Sequence, residues 1–147
     1  MLSNEEIVHF NEDGYLVFER LIEGDRLAYY LDVCDELVAR GNALTAPVPH
    51  FSLELGPDNA PISGLLHKVQ GVCVAEPRLR ALAAHAQITD RAAQLLDAES
   101  LDVFGTKFFP KLAGGGTSTH WHQDNYYFGS DSPQVLSCGI YLQDADR

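Results

Sequence analysis

The sequence predicts an α+β protein in which helices come first and the sheet begins late. Two observations carry this prediction. Apolar residues at helical spacing, separated by loops, dominate the first two-thirds of the chain, whereas β-branched and aromatic runs follow. At 147 residues the chain is expected to be one domain. Residues 1–100 would form a layer of helices and loops, and residues 101–147 would hold the first strands of the main sheet.

Two helices are predicted at the start of the chain. Ser3 and Glu6 match a capping box, which predicts a short helix that ends near Asn11. Gly24 opens a second helix, and Gly41 is expected to end it as a C-terminal glycine. The apolar positions of this second helix recur at helical spacing: Leu27, Tyr30, Leu31, Cys34, Leu37 and Val38.

The remaining elements are predicted from breaker residues and from strand-like runs. Four prolines and two glycines predict that residues 42–64 form a loop without regular structure. Pro77 suits the first turn of a third helix, and a fourth helix is expected at residues 89–96. Strands are predicted for five runs: 15–22, 65–74, 101–109, 119–128 and 135–142.

The composition argues against two classes of partner. The formal net charge is −11, and an acidic surface repels phosphate backbones and anionic lipids. We therefore expect neither a nucleic-acid nor a membrane partner. Three cysteines without close spacing favour free thiols in a reducing compartment, and the first residues do not resemble a secretory signal. These features predict a cytoplasmic protein.

Residues 119–128 carry the strongest chemical signal. On an extended strand alternate side chains share a face, so His120, His122 and Asp124 would point the same way. Imidazole and carboxylate suit Fe(II), and His-x-Asp can supply two ligands of a 2-His-1-carboxylate site. By itself, the tripeptide also fits the polar face of a surface strand. The candidates for the wall of a substrate pocket are His120, Trp121, Tyr126 and Tyr127.

Trp121-His122-Gln123-Asp124, followed by Tyr126-Tyr127-Phe128, resembles the iron-binding segment of the phytanoyl-CoA dioxygenase family. These enzymes are non-haem Fe(II), 2-oxoglutarate-dependent oxygenases. The fold that the resemblance implies is mainly β: a double-stranded β-helix, or jelly roll, with an N-terminal helical layer. Looser similarity to the family covers most of the chain, including residues 10–17, 68–70, 104–111 and 135–144.

The resemblance also implies roles for single residues. His122 and Asp124 would be two iron ligands and the catalytic residues. Lys68, Lys107 and Gln123 would bind 2-oxoglutarate. The implied reaction is hydroxylation of an unactivated C–H bond of a small molecule with O₂, giving succinate and CO₂. Asp124 favours hydroxylation because related halogenases carry a small residue at this position.

Two functional residues of the family have no counterpart here. The distal histidine ligand and the arginine that pairs with 2-oxoglutarate follow the strand equivalent to residues 135–142. In this chain, the residues after that run resemble a turn. We therefore expect the chain to be the first part of a longer protein.

Two other interpretations remain open. The chain can be a non-catalytic or incomplete domain, because two protein ligands rarely hold Fe(II) firmly. Gly114, His120 and His122 also fit the first half of the cupin metal motif, although tyrosines occupy the positions where that motif expects glutamate. Replacing Asp124 with alanine separates the interpretations. A cupin-type site would keep its metal, whereas a facial triad would lose it.

Overall fold

The computed structural model describes residues 1–111, 116–132 and 134–144. The described elements, in chain order, are α1 (Asn4–Asp13), α2 (Gly24–Asn42), β1 (Phe51–Leu55), β2 (Pro61–Gln70), α3 (Val72–Ala75), α4 (Arg78–Ala83), α5 (Ala86–Leu96), β3 (Lys107–Phe108) and α6 (Asp124–Phe128). The three strands form one antiparallel sheet in the order β1-β2-β3. The architecture is therefore α+β, and the sheet begins earlier in the chain than predicted.

Helix α1 begins as the sequence predicts. The Ser3 hydroxyl accepts a hydrogen bond from the Glu6 N–H, and the Glu6 carboxylate accepts one from the Ser3 N–H at 2.7 Å. This reciprocal pair lowers the pKa of Glu6. The helix ends at a left-handed cap, where Gly14 has φ +81° and donates its N–H to the Phe10 carbonyl.

Helix α2 provides one side of the core. Its most buried side chains recur on one helix face, and they belong to the same cluster as three buried residues of the sheet. The helix residues are Tyr30, Val33, Cys34 and Leu37, and the sheet residues are Phe51, Leu66 and Val69. The predicted helix face is thus confirmed at its centre.

No helix in the described residues is long and apolar enough to cross a bilayer.

Gly41 does not end α2, and our prediction for it was wrong. The helix continues through Asn42, and Gly41 is buried where α2 meets β2. A Cβ placed on Gly41 would stand 2.6–2.8 Å from three side-chain atoms of Leu66, which is fully buried. The position therefore needs glycine because helix and strand approach closely there.

We expect Gly41→Ala to lower the free energy of unfolding by about 1–3 kcal/mol because it overpacks the core. The same change at an exposed helix position would stabilise the helix by about 1 kcal/mol. Urea denaturation followed by circular dichroism measures the difference. Gly105→Ala is the matched control, since nothing lies within 4 Å of its Cβ position. A Gly41→Ala protein as stable as the parent would contradict the packing argument.

Residues 42–64 do not form the unstructured loop that we predicted. They contain β1 and the start of β2, joined by a short turn in which the Asp58 side chain accepts from the Ala60 N–H at 3.0 Å. The prolines are compatible with this hairpin because of where they fall. Pro57 lies in the turn, and Pro61 is the first residue of β2, where proline is tolerated.

Most of the other predicted strands also need correction. Residues 15–22, 119–128 and 135–142 form no strand. The predicted strand at 65–74 becomes the end of β2 followed by α3, and the one at 101–109 shrinks to Lys107–Phe108. Apolar and aromatic composition favours a strand only where a neighbouring strand is present to pair with it.

Candidate metal centre

Helix α6 replaces the strand that we predicted for the metal motif. Asp124 is its first residue, and Gly129 ends it with φ +60° and an N–H donated to the Asn125 carbonyl. The Asn125 side chain also makes two hydrogen bonds to the backbone of Ser130, at 2.9 and 3.0 Å. Local bonds of this kind satisfy backbone N–H and C=O groups within the turn. In a strand the same groups would need a neighbouring strand to pair with. The local bonds explain why the motif turns instead of extending.

The turn into α6 brings His122 and Asp124 together. Nε2 of His122 lies 3.4 Å from Oδ1 of Asp124, and each side chain is about one-third exposed, at 33% and 32%. Nδ1 of His122 lies 2.7 Å from the His120 carbonyl, which can only accept. Nδ1 therefore carries the proton, and the lone pair of a neutral ring remains on Nε2. This is the tautomer of a metal-binding histidine whose other nitrogen is held by a carbonyl.

The surroundings of Asp124 favour its ionised form. The Ser137 hydroxyl donates to Oδ2 at 2.8 Å, and the Lys107 ammonium lies 3.7 Å from Oδ1. The pKa of Asp124 lies below its usual value, mainly because of the Ser137 hydrogen bond, with the charge of Lys107 adding to it against the opposing effect of burial. An ionised carboxylate is the form that binds a metal.

Lys68 and Lys107 lie on the same face of the sheet. Gln70 of β2 pairs with Lys107 of β3, and paired residues share a face. Because side chains alternate along β2, Lys68 shares the face of Gln70. The prediction that both lysines lie on strands is confirmed. Hydrogen bonds and ion pairs in the described residues connect Lys107, but not Lys68, to the His122–Asp124 pair.

The other candidate residues surround this pair without enclosing it. The ring of Tyr127 packs edge-on against His122, with centroids 5.4 Å apart, whereas Trp121 is fully exposed. His120 contributes its backbone carbonyl rather than its ring. The predicted shared face of His120, His122 and Asp124 therefore does not form. The exposed candidates are His120, Trp121, Gln123, Tyr126 and Tyr127.

The pair fits two positions around a metal ion. Ligands at right angles, each about 2.1 Å from the ion, stand about 3 Å apart, close to the 3.4 Å between Nε2 and Oδ1. A neutral imidazole nitrogen and an ionised carboxylate are suitable metal ligands. In residues 1–111, 116–132 and 134–144, no group of three or more His, Cys, Asp or Glu side chains is arranged to hold a metal. The described donors thus supply two ligands.

Sequence reasoning missed two contributors to this region. Ser137 holds the second oxygen of Asp124, and no sequence signal marks it, since serine is common in loops. Glu54 is buried on β1 and bonds to Thr117, just before the metal motif. A signal existed for Glu54, because a carboxylate between two leucines in a short apolar run is unusual.

Two histidines and one carboxylate around a metal are typical of non-haem iron oxygenases, and His122 and Asp124 match two of these three ligand types. Comparison with protein families agrees: the family described as phytanoyl-CoA dioxygenase (PhyH) matches residues 10–147. The chain belongs to the phytanoyl-CoA dioxygenase family, which confirms the resemblance seen in the sequence. Members of this family are Fe(II), 2-oxoglutarate-dependent dioxygenases with a cupin-like fold. Comparisons with curated proteins and with solved structures found no match.

Proposed function

We propose that this protein is a 2-oxoglutarate-dependent hydroxylase that acts on an unactivated C–H bond of a small molecule. The reaction would consume O₂ and 2-oxoglutarate and release succinate and CO₂. The observation that carries the proposal is the arrangement of His122 and Asp124, with Nε2 of His122 3.4 Å from Oδ1 of Asp124 and Nδ1 held by the His120 carbonyl. Membership in the family supports the reaction class.

In this proposal His122 Nε2 and Asp124 Oδ1 hold Fe(II), which supplies the activation of O₂ when bound. The protein groups around the pair set its geometry. The His120 carbonyl accepts a hydrogen bond from Nδ1 and so fixes the imidazole ring. The Ser137 hydroxyl donates to Oδ2 of Asp124, so Oδ1 is the oxygen that would bind the metal. Both ligands are thereby oriented before any ion arrives.

The lysines would serve the dianionic co-substrate. Lys107 lies beside the ligand pair, and Lys68 shares its sheet face, so both can present positive charge in an otherwise acidic protein. We propose that Gln123, between the two ligands in sequence, adds a hydrogen bond to 2-oxoglutarate. The exposed Trp121, Tyr126 and Tyr127 would face the substrate.

Two further features belong to the proposal. The antiparallel sheet, flanked by helices, is compatible with the jelly roll and N-terminal helical layer of the family, and we propose that fold. We also propose a cytoplasmic location, because Cys34, Cys73 and Cys138 are all free thiols. Burial raises the pKa of Cys34 to about 11, which keeps that thiol unreactive.

Anaerobic titration of the 147-residue chain with Fe(II) and 2-oxoglutarate tests the proposed function. We expect a weak visible charge-transfer band that saturates as the chelated complex forms. Succinate is the matched control, because it lacks the keto oxygen and cannot form the same chelate. A chain that shows no band and retains no Fe(II) in equilibrium dialysis would contradict the proposal for this polypeptide.

A further inference from the structure

A buried carboxylate joins the sheet to the segment that carries the metal motif. Glu54 on β1 is only 6% exposed. Its Oε2 accepts hydrogen bonds from the N–H of Thr117 at 2.9 Å and from the Thr117 hydroxyl, and its Oε1 lies 2.9 Å from Nδ1 of His67. A buried carboxylate is tolerated only with such partners. The two sides of this contact are 63 residues apart in sequence.

The hydrogen bonds of Glu54 are strong enough to keep it charged. Burial alone would raise the pKa of Glu54, but the bonds from Thr117 and His67 outweigh it and bring the pKa below its usual value. Hydrogen bonds to an ionised acceptor are about twice as strong as those between neutral groups. Glu54 therefore holds Thr117 more firmly than a neutral side chain would.

Residues 116–123 depend on this attachment. Within the described parts of the chain, the two bonds from Thr117 are the only hydrogen bonds that join residues 116–123 to residues 1–111. Gly116 has φ +129° and passes close to the carboxylate: a Cβ there would lie 3.6 Å from Oε1 of Glu54. The next connection to the sheet is the ion pair of Lys107 with Asp124, at 3.7 Å.

We propose that Glu54 is a positioning residue for the candidate iron site. By holding Thr117, it sets where the segment leaves the sheet, five residues before His122, and so places His122 and Asp124 beside Lys107. The role in metal binding rests on the proposed function. The placement itself exists without metal and can be measured separately.

Three variants test the inference in the 147-residue chain. Thr117→Val keeps the backbone N–H and the side-chain shape but removes the hydroxyl donor, and the residue is exposed, so the fold should persist. Glu54→Gln keeps the shape and removes the charge. Thr117→Ser is the matched control because it keeps both donors. Deuterium uptake of α2 peptides reports whether each variant remains folded.

The first readouts use the metal-free protein. We expect peptides that cover residues 116–123 to exchange about tenfold faster in Thr117→Val and Glu54→Gln, because a charge-assisted hydrogen bond is lost. We expect the ¹⁵N shifts of the His122 ring to move from a single tautomer toward an average of two. Thr117→Ser should match the parent in both measurements.

The second readout is the affinity for Fe(II), with the dissociation constant expected to rise about tenfold in the same two variants. Unchanged exchange in both would overturn the inference. Faster exchange with an unchanged His122 tautomer and unchanged iron affinity would overturn it too, because Glu54 would then hold Thr117 without placing the ligands. If the parent chain retains no Fe(II), the proposed function fails, and the metal-free His122 spectra alone decide whether Glu54 positions the segment.

Discussion

Replacing Asp124 with alanine is expected to weaken Fe(II) binding by more than about 100-fold, beyond the 10–100-fold cost of losing a supporting residue. The reason is that Oδ1 of Asp124 is one of two donor atoms that the described structure brings together, 3.4 Å from His122 Nε2. Anaerobic equilibrium dialysis measures the loss. Circular dichroism checks that the variant is folded, which the partial exposure of Asp124 favours.

His120→Ala is the matched control for Asp124→Ala. The backbone carbonyl of His120, and not its ring, holds Nδ1 of His122, so removing the ring should change the iron dissociation constant less than about threefold. The opposite pattern would contradict the facial-triad interpretation. If Asp124→Ala keeps its iron and His120→Ala loses it, a cupin-type site built on His120 and His122 would be correct.

The second large effect is expected at Glu76. Its carboxylate is 6% exposed and makes two bonds to the Arg78 guanidinium, at 2.7 and 2.8 Å. The guanidinium of Arg40 lies 3.8 Å from Oε2 of Glu76, the oxygen that also accepts the second bond from Arg78. We expect Glu76→Gln to lower the free energy of unfolding by about 3 kcal/mol, because it removes the buried carboxylate that makes two bonds to Arg78 and leaves only the exposed Glu36 as its counter-ion. Urea denaturation at pH 7 measures this change.

The pH dependence of stability gives an independent check on Glu76. The hydrogen bonds from Arg78 lower the pKa of Glu76 from 4.5 to about 2, against the effect of burial. A carboxylate whose pKa is lower in the folded state stabilises the fold fully at pH values above its unfolded-state pKa. This stabilisation is lost as the pH falls through the folded-state pKa. The parent should therefore lose about 3 kcal/mol from this group between pH 4.5 and pH 2.

Glu76→Gln should lack this part of the acid sensitivity, so the two proteins should differ most at neutral pH and converge near pH 2. Glu36→Gln is the matched control, because Glu36 binds the same arginine from an exposed position and should cost less stability. Parallel pH profiles for the parent and Glu76→Gln would contradict the assignment.

Features with local signals were predictable from the sequence. The capping box of α1 depends on two residues three positions apart, and the apolar face of α2 repeats within one helix. The His122–Asp124 pair was also recognised correctly as a close pair, although through a strand that does not exist. Two residues that are close in sequence meet in either conformation, so this error in secondary structure left the pair intact.

Features that depend on distant partners were not predictable. Gly41 looked like a helix terminus because nothing in its neighbourhood shows that Leu66 packs against it. The hairpin at β1 and β2 was hidden by prolines whose positions matter only once the register is known. The five strand predictions assumed pairing partners that most of those runs lack among the described residues.

The sequence by itself determined the family, the first helices and the identity of the two candidate iron ligands, because each is encoded in a short stretch of residues. Only the tertiary structure decided how those ligands are held. The bond from Ser137 to Asp124, the shared sheet face of Lys68 and Lys107, and the attachment of Thr117 to Glu54 join residues that lie far apart in sequence. Such contacts exist only after the chain has folded, since burial and pairing, and not local preference, bring their atoms together.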